Sequence, residues 1–263
     1  MPDTLFQMQA ASAGYDGHPV FEGLDLSLPS GKVIAFCGPN GSGKSTALRS
    51  LRHLLPLSSG NIQLLGRDLK DWSARELAKN IALLTQTPEA PEDTLVKDLV
   101  MMGRFAHRKP FTGPSALDKA ACEEALLATG MTKLAQTPIG SLSGGQAQRA
   151  WIAMVLSQQS HTILFDEPTN HLDIAHALDV LELVHRMNRQ QGRNIIVVLH
   201  DLNLAARYAD HVVLFEKGQI AKQGSVTEVL NETTISQVFN ITCKILSLDG
   251  QPIIAALPQT HPT

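Results

Sequence analysis

Gly38-Pro39-Asn40-Gly41-Ser42-Gly43-Lys44-Ser45 follows the continuous apolar run Val33-Ile34-Ala35-Phe36-Cys37 and leads into Ala47 to Leu55, a segment with helical spacing. The octapeptide satisfies G-x-x-x-x-G-K-[ST]. Its setting of buried strand, glycine loop and helix is the one in which that pattern binds phosphate. Gly41 and Gly43 let the main chain wrap closely, so that N–H groups converge on phosphate oxygens. The helix opening at Lys44 adds the positive end of its dipole. Lys44 is expected to reach the β- and γ-phosphates of ATP, and the Ser45 hydroxyl to ligate Mg²⁺. Gly38, Asn40, Ser42 and Thr46 complete the expected nucleotide-binding loop.

A second apolar run, Thr162-Ile163-Leu164-Phe165, ends in Asp166-Glu167. The C-terminal ends of strands are where α/β sheets bind ligands. Asp166 is expected to hold Mg²⁺, mainly through water, and Glu167 to polarise the attacking water. Such an acid pair is by itself as often a solvated loop start or a helix cap. The glycine loop upstream is what turns it toward hydrolysis.

Strands alternate with helices along the chain. Leu5–Gln9 and Phe21–Leu28 read as short strands separated by Gly14, Gly17 and Pro19, and a strand over Ile81–Thr85 ends at Gln86. Helical spacing follows over Leu95–Met102 and Ser115–Ala128. After Leu142-Ser143-Gly144-Gly145-Gln146 comes another helix, on which Trp151, Met154, Val155 and Gln158 form a mostly apolar face. A helix over Ile174–Arg189 leads to the buried strand Ile195–Leu199. This alternation predicts a parallel sheet covered on both sides. Thr242–Leu248 and Gln251–Leu257, around Asp249-Gly250, read as a terminal hairpin whose second arm Pro252 places at an edge, and His261-Pro262-Thr263 as a tail.

The segment LSGGQ over Leu142–Gln146, followed by Ala147-Gln148-Arg149, resembles the signature of ATP-binding cassette (ABC) proteins. The resemblance covers about Leu5 to Gly224 and gives roles to further residues. Gln86 stands as the family's Q-loop residue, which touches the metal, His200 as its switch histidine, and Asn170-His171-Leu172-Asp173 as its D-loop. Tyr15 stands where the family stacks an aromatic ring on adenine. In this family Ser143, Gly144, Gly145 and Gln146 of one subunit close on the nucleotide held by a second copy, giving two shared sites in a head-to-tail dimer. Lys44, Glu167 and His200 are the implied catalytic residues. The implied fold is a P-loop cassette with a mainly parallel core sheet, an N-terminal antiparallel β subdomain and a helical subdomain. One domain over 1–263 is expected, with the helical part at about 91–160 and the terminal hairpin at about 240–263.

Three stretches look like the ATPases of bacterial iron-siderophore importers: Gln148–Met154, Asp173–His176 and His200–Tyr208, the last two especially like ferric hydroxamate (ferrichrome-type) systems. Met102-Gly103-Arg104 also fits that group, whereas Ala147-Gln148 departs from the charged residue usual after the signature. Haem and cobalamin importers are the alternative. The implied partners are a second cassette, transmembrane permease subunits and, indirectly, a substrate-binding protein. A translation-associated cassette factor would carry two cassettes, and a DNA-repair or chromosome-structure ATPase a long coiled coil; one signature in 263 residues disfavours both.

Bulk properties agree. The net charge of −3 gives no electrostatic case for nucleic acid, and isolated Cys37, Cys122 and Cys243 suit a reducing compartment. Cys37 reads as a small buried residue and Arg149 as a structural ion-pair partner. The N-terminus does not read as a signal peptide, and no apolar run approaches the roughly 18 to 20 residues that span a bilayer. The expected location is the cytoplasmic face of the inner membrane, held through the permease.

Overall fold

The computed structural model describes residues 3–109, 112–170, 172–248 and 250–257. Internal contacts divide the chain into two compact units, Met1–Asp71 with Ile196–Thr263, and Trp72–Ile195.

The first unit opens with a hairpin of β1 (Thr4–Tyr15) and β2 (His18–Pro29). Asp16 and Gly17 both have positive φ at its turn, which matches the strand twist. Both strands are twelve residues long, well beyond the short strands expected. Pro19 is no break because β2 lies at the edge of its sheet, where a missing N–H is tolerated. The fully buried β3 (Val33–Cys37) runs through the glycine loop into α1 (Lys44–Leu51). That helix stops short of Leu55: His53 has a left-handed backbone (φ 59°) and Pro56 follows. β4 (Ser59–Leu64) and β5 (Arg67–Asp68) complete an antiparallel sheet ordered β2-β1-β4-β5.

The second unit begins with α2 (Ala74–Asn80), announced by Ser73 and Glu76 as a reciprocal capping box. Next come β6 (Ile81–Leu84), α3 (Val96–Met102), α4 (Ala116–Ala128), α5 (Gly144–Ser157), β7 (Thr162–Phe165) and α6 (Ile174–Gln191). β6 and β7 pair in parallel. The expected apolar face of α5 is only partly buried: Trp151, Met154 and Gln158 are intermediate, while Ala150, Ala153 and Ser157 are buried. α3 ends against this helix at Met154 and Ser157. A Cβ on Gly103 would stand 2.1 Å from the Met154 carbonyl oxygen.

Arg104, one residue on, ties this helical region together. Its Nε donates to Asp118 Oδ1 at 2.9 Å and its Nη1 to the Ser157 carbonyl at 2.7 Å, with Arg104 and Asp118 both buried. Burial pushes the Asp118 carboxyl up, but hydrogen bonds from the Ser115 O–H and N–H and the Arg104 guanidinium outweigh it and hold it at about 2. A depressed folded-state value means stability that is present above the ordinary carboxylate range and lost as pH falls through about 2. Asp118→Asn is expected to cost about 3–5 kcal/mol in urea unfolding near neutral pH, because it leaves a buried guanidinium uncompensated. The difference from the parent should shrink as the pH is lowered below 4.

The chain returns to the first unit within β8 (Asn194–Val198) and continues through α7 (Leu202–Tyr208), β9 (His211–Glu216), β10 (Gln219–Ser225), α8 (Val226–Val229) and α9 (Glu232–Phe239). Here the strand order is β10-β9-β3-β8, with β3 and β9 parallel. Phe36 and Phe215 meet at a centroid distance of 5.0 Å in its core. The terminal hairpin forms as expected from β11 (Thr242–Leu248) and β12 (Gln251–Leu257). Asp249 of its turn and the tail His261–Thr263 lie outside the described residues, as does His171. Among the described residues no helix is long and apolar enough to cross a membrane.

Candidate nucleotide site

In the first unit the glycine loop is shaped by sterics. Gly38 has φ 141°, and a Cβ there would meet the Phe215 carbonyl oxygen at 2.2 Å, so only glycine fits between β3 and β9. Gly43 caps α1 with φ 103°, again a backbone that side chains disfavour. Lys44 is buried, and its Nζ donates to the Gly38 carbonyl at 2.9 Å and the Pro39 carbonyl at 2.8 Å. The loop is thereby wound around its own cation. Ser42 Oγ is buried and makes no hydrogen bond among the described residues, so its proton is available to an acceptor that enters the loop. A phosphate oxygen fits that description. Thr46 is buried, Ser45 is intermediate, and Asn40 and Gly41 are exposed at the tip.

Tyr15 ends β1 with 41% exposure, its hydroxyl 3.5 Å from Arg49 Nη1. His200 is exposed just beyond β8. It is set beside the loop's strand because the preceding Leu199 N–H donates to the Phe36 carbonyl at 3.0 Å. Asp201 then caps α7. Cys37 is fully buried, and burial pushes its thiol up to about 12, with Lys44 opposing and Asp201 reinforcing. It is a packing residue, as expected, and not a thiolate.

In the second unit Asp166 is buried at the end of β7, its N–H donating to the Leu84 carbonyl at 2.9 Å. Glu167 takes a left-handed backbone (φ 54°), a conformation that costs free energy and turns its side chain out of the strand. Gln86 Nε2 donates to Glu167 Oε2 at 2.7 Å, and Asn170 Nδ2 donates to the same oxygen. Gln86, Asp166 and Glu167 are therefore brought together at the ends of β6 and β7. Asn170 is a member of this cluster that sequence reading placed only in the D-loop. Its signal was the spacing of three from Glu167, which lets a tight turn fold back.

Ser143 caps α5. Its Oγ accepts from the Gln146 N–H at 3.4 Å, and its N–H donates to Gln146 Oε1 at 3.0 Å. Gly144, Gly145 and Gln146 form the first turn; with the Gln146 N–H capped by Ser143, the Gly144 and Gly145 N–H groups point out of the helix end. The Gln148 departure also has a structural use: its Nε2 donates to the Pro168 carbonyl at 2.9 Å, joining this helix to the segment after Glu167. Arg149 Nη1 lies 4.0 Å from Asp179 Oδ2 on the surface, a weak pairing.

A family model described as ABC transporter matches residues 21–170, more than half of the chain. The chain belongs to the ABC transporter family. It is an ABC ATPase, and it is similar over most of its length to ATP-binding subunits. The achromobactin transport ATP-binding protein of Dickeya dadantii is 43% identical over 92% of this chain and 90% of its own. The iron(3+)-hydroxamate import ATP-binding protein of Bacillus subtilis is 42% identical over 89% of this chain and 87% of its own. Among solved structures, an inward-facing metal-chelate type ABC transporter superposes with a TM-score of 0.85 at 26% identity, covering 98% of this chain and 99% of its own. The parallel pair β3 and β9 with the antiparallel N-terminal sheet in the first unit, and the parallel pair β6 and β7 in the second, are those of the cassette fold.

Proposed function

We propose that this chain powers a bacterial importer of an iron–siderophore complex, working as one cassette over 1–263 on the cytoplasmic face of the inner membrane. What supports the substrate class is the pair of relatives above 40% identity over nearly the whole chain, named for achromobactin and iron(3+)-hydroxamate. Permease subunits carry the chelate and a substrate-binding protein delivers it.

The residues divide the reaction as follows. Tyr15 stacks on adenine, and the N–H groups of Gly38 to Thr46 with Lys44 hold the phosphates. Ser45, Asp166 and Gln86 would hold Mg²⁺, which would supply charge to offset that of the phosphates. Glu167, oriented by Gln86 and Asn170, accepts a proton from the attacking water. His200 faces the γ-phosphate as its charge develops. Ser143, Gly144, Gly145 and Gln146 of a second copy bring a helix N-terminus to the same nucleotide, with the Gly144 and Gly145 N–H groups as its foremost donors. The site is thus shared head-to-tail.

Mixing subunits tests this directly. Lys44→Ala and Ser143→Arg should each be inactive alone. In a mixed dimer one interface carries both defects and the other neither, so each heterodimer keeps one of its two sites and a random equimolar mixture should regain about a quarter of the parental hydrolysis. Heterodimers that form without any recovered hydrolysis would overturn shared sites.

The helical region offers the permease a face. Phe105 is 84% exposed and Met102 54%. Phe105, Ala74, Ala78 and Ala106 line a cavity of about 580 Å³ rimmed by Arg75, Arg108 and Lys109. An apolar permease loop with acidic flanks suits it. Phe105→Asp should keep ATP-dependent dimerisation and lose copurification with co-expressed permease; retained copurification would place the docking face elsewhere.

A further inference from the structure

Gly145 poses a question that its own backbone does not answer. It sits in the first turn of α5 and does not have a left-handed conformation, so alanine would be the better helix former there. Its neighbour Gly144 has open space where a Cβ would go. At Gly145 that space is taken. A Cβ would lie 2.6 Å from His176 Cδ2, 2.9 Å from Cγ and 3.1 Å from Nε2, all atoms of one imidazole ring.

The ring is not at the end of a loose side chain. His176 Nδ1 stands 2.8 Å from Asp173 Oδ1, and the same carboxylate oxygen accepts the His176 N–H at 2.9 Å. Asp173 is in turn the N-cap of α6. One turn along α5, Gln148 makes the second tie to this segment through the Pro168 carbonyl. Both attachments join the signature helix to the short stretch that begins at Glu167.

We infer that His176 is a positioning residue for ATP hydrolysis: its ring, held by Asp173, fills the space beside Gly145 and sets where the donors of Ser143 and Gly145 stand. The glycine at 145 is then required from within the subunit, by the ring, as well as by any nucleotide that approaches. This rests on residues 143–146 acting as nucleotide donors.

The test is second-site rescue, with folding checked by thermal melts. Gly145→Ala should lower kcat on the order of 10²-fold, the scale of an ångström misplacement near the reacting groups. Fluorescent-ATP affinity of the isolated chain, set by the glycine loop, should be unchanged. His176→Ala alone should lower kcat by about tenfold with KM nearly constant. The Gly145→Ala/His176→Ala double variant should recover at least about tenfold over Gly145→Ala, a coupling that independent sites do not show. A double variant no better than Gly145→Ala overturns the inference. Hydrogen exchange of His176→Ala gives a reading that needs no alanine at 145: faster exchange at 143–147 supports it, and unchanged exchange overturns it. Ser143→Arg separates the two levels. If Ser143→Arg turns over normally, the signature reading falls and this inference with it; if it is inactive and rescue is absent, only the role of His176 falls.

Discussion

Lys44→Ala is expected to abolish tight ATP binding in a chain that still folds. The ammonium is the main cation aimed at the phosphates, and its charge-assisted hydrogen bonds to two phosphates are worth roughly 1.5–3 kcal/mol each. Their loss weakens affinity by about 10²- to 10⁴-fold. The structure adds a second consequence. Lys44 Nζ also donates to the Gly38 and Pro39 carbonyls, so the side chain holds the loop in its wound form. Removing it leaves those carbonyls to water and the loop free to open, which lowers affinity further. Fluorescent-nucleotide titration alongside circular dichroism checks both parts. Unchanged affinity in a folded Lys44→Ala protein would sink the assignment of the glycine loop.

Much of this site was legible because its chemistry is local in sequence. The glycine loop, the acid pair and the signature each need consecutive residues: a backbone that curls around phosphate, or a helix end that presents N–H groups, is built from neighbours. Strands with both faces buried were legible for the same reason, as with Val33–Cys37 and Thr162–Phe165, where every residue is buried. What escaped was set by partners distant in sequence. Pro19 reads as a break until β1 is seen to carry its pairing partners and leave β2 an edge. The buried face of α5 is shifted from the one its apolar spacing predicts because Gly103, far upstream, lets the end of α3 sit against the Met154 carbonyl and Ser157. Asn170 and Gln148 look like ordinary polar residues. Only the folded chain aims one at Glu167 and the other at the Pro168 carbonyl. β9 and β10 turn around the positive-φ pair Lys217-Gly218, a local signal of the same kind as that of the first hairpin.

Glu167→Gln should separate nucleotide binding from hydrolysis. In the parent, Oε2 accepts hydrogen bonds from Gln86 Nε2 and Asn170 Nδ2. Glutamine has the same shape, and its one carbonyl oxygen will satisfy both amide donors. Its –NH₂ is then forced to the position of the other carboxylate oxygen, so that a donor faces the water where a proton acceptor is needed. The left-handed backbone at residue 167 is no harder for glutamine than for glutamate, so the local fold should persist. Loss of a general base typically lowers the rate by about 10²- to 10⁴-fold. Lys44, Ser45 and Asp166 remain, so Mg²⁺–ATP should still bind and the closed dimer should outlive that of the parent. Size-exclusion chromatography with and without Mg²⁺–ATP reads this as an ATP-dependent dimer that persists in the variant and is transient in the parent. Near-normal turnover would transfer the base to His200 or to a water chain. Failure to bind ATP would instead make Glu167 an organising residue, whose two amide contacts serve the fold of the loop and not the proton.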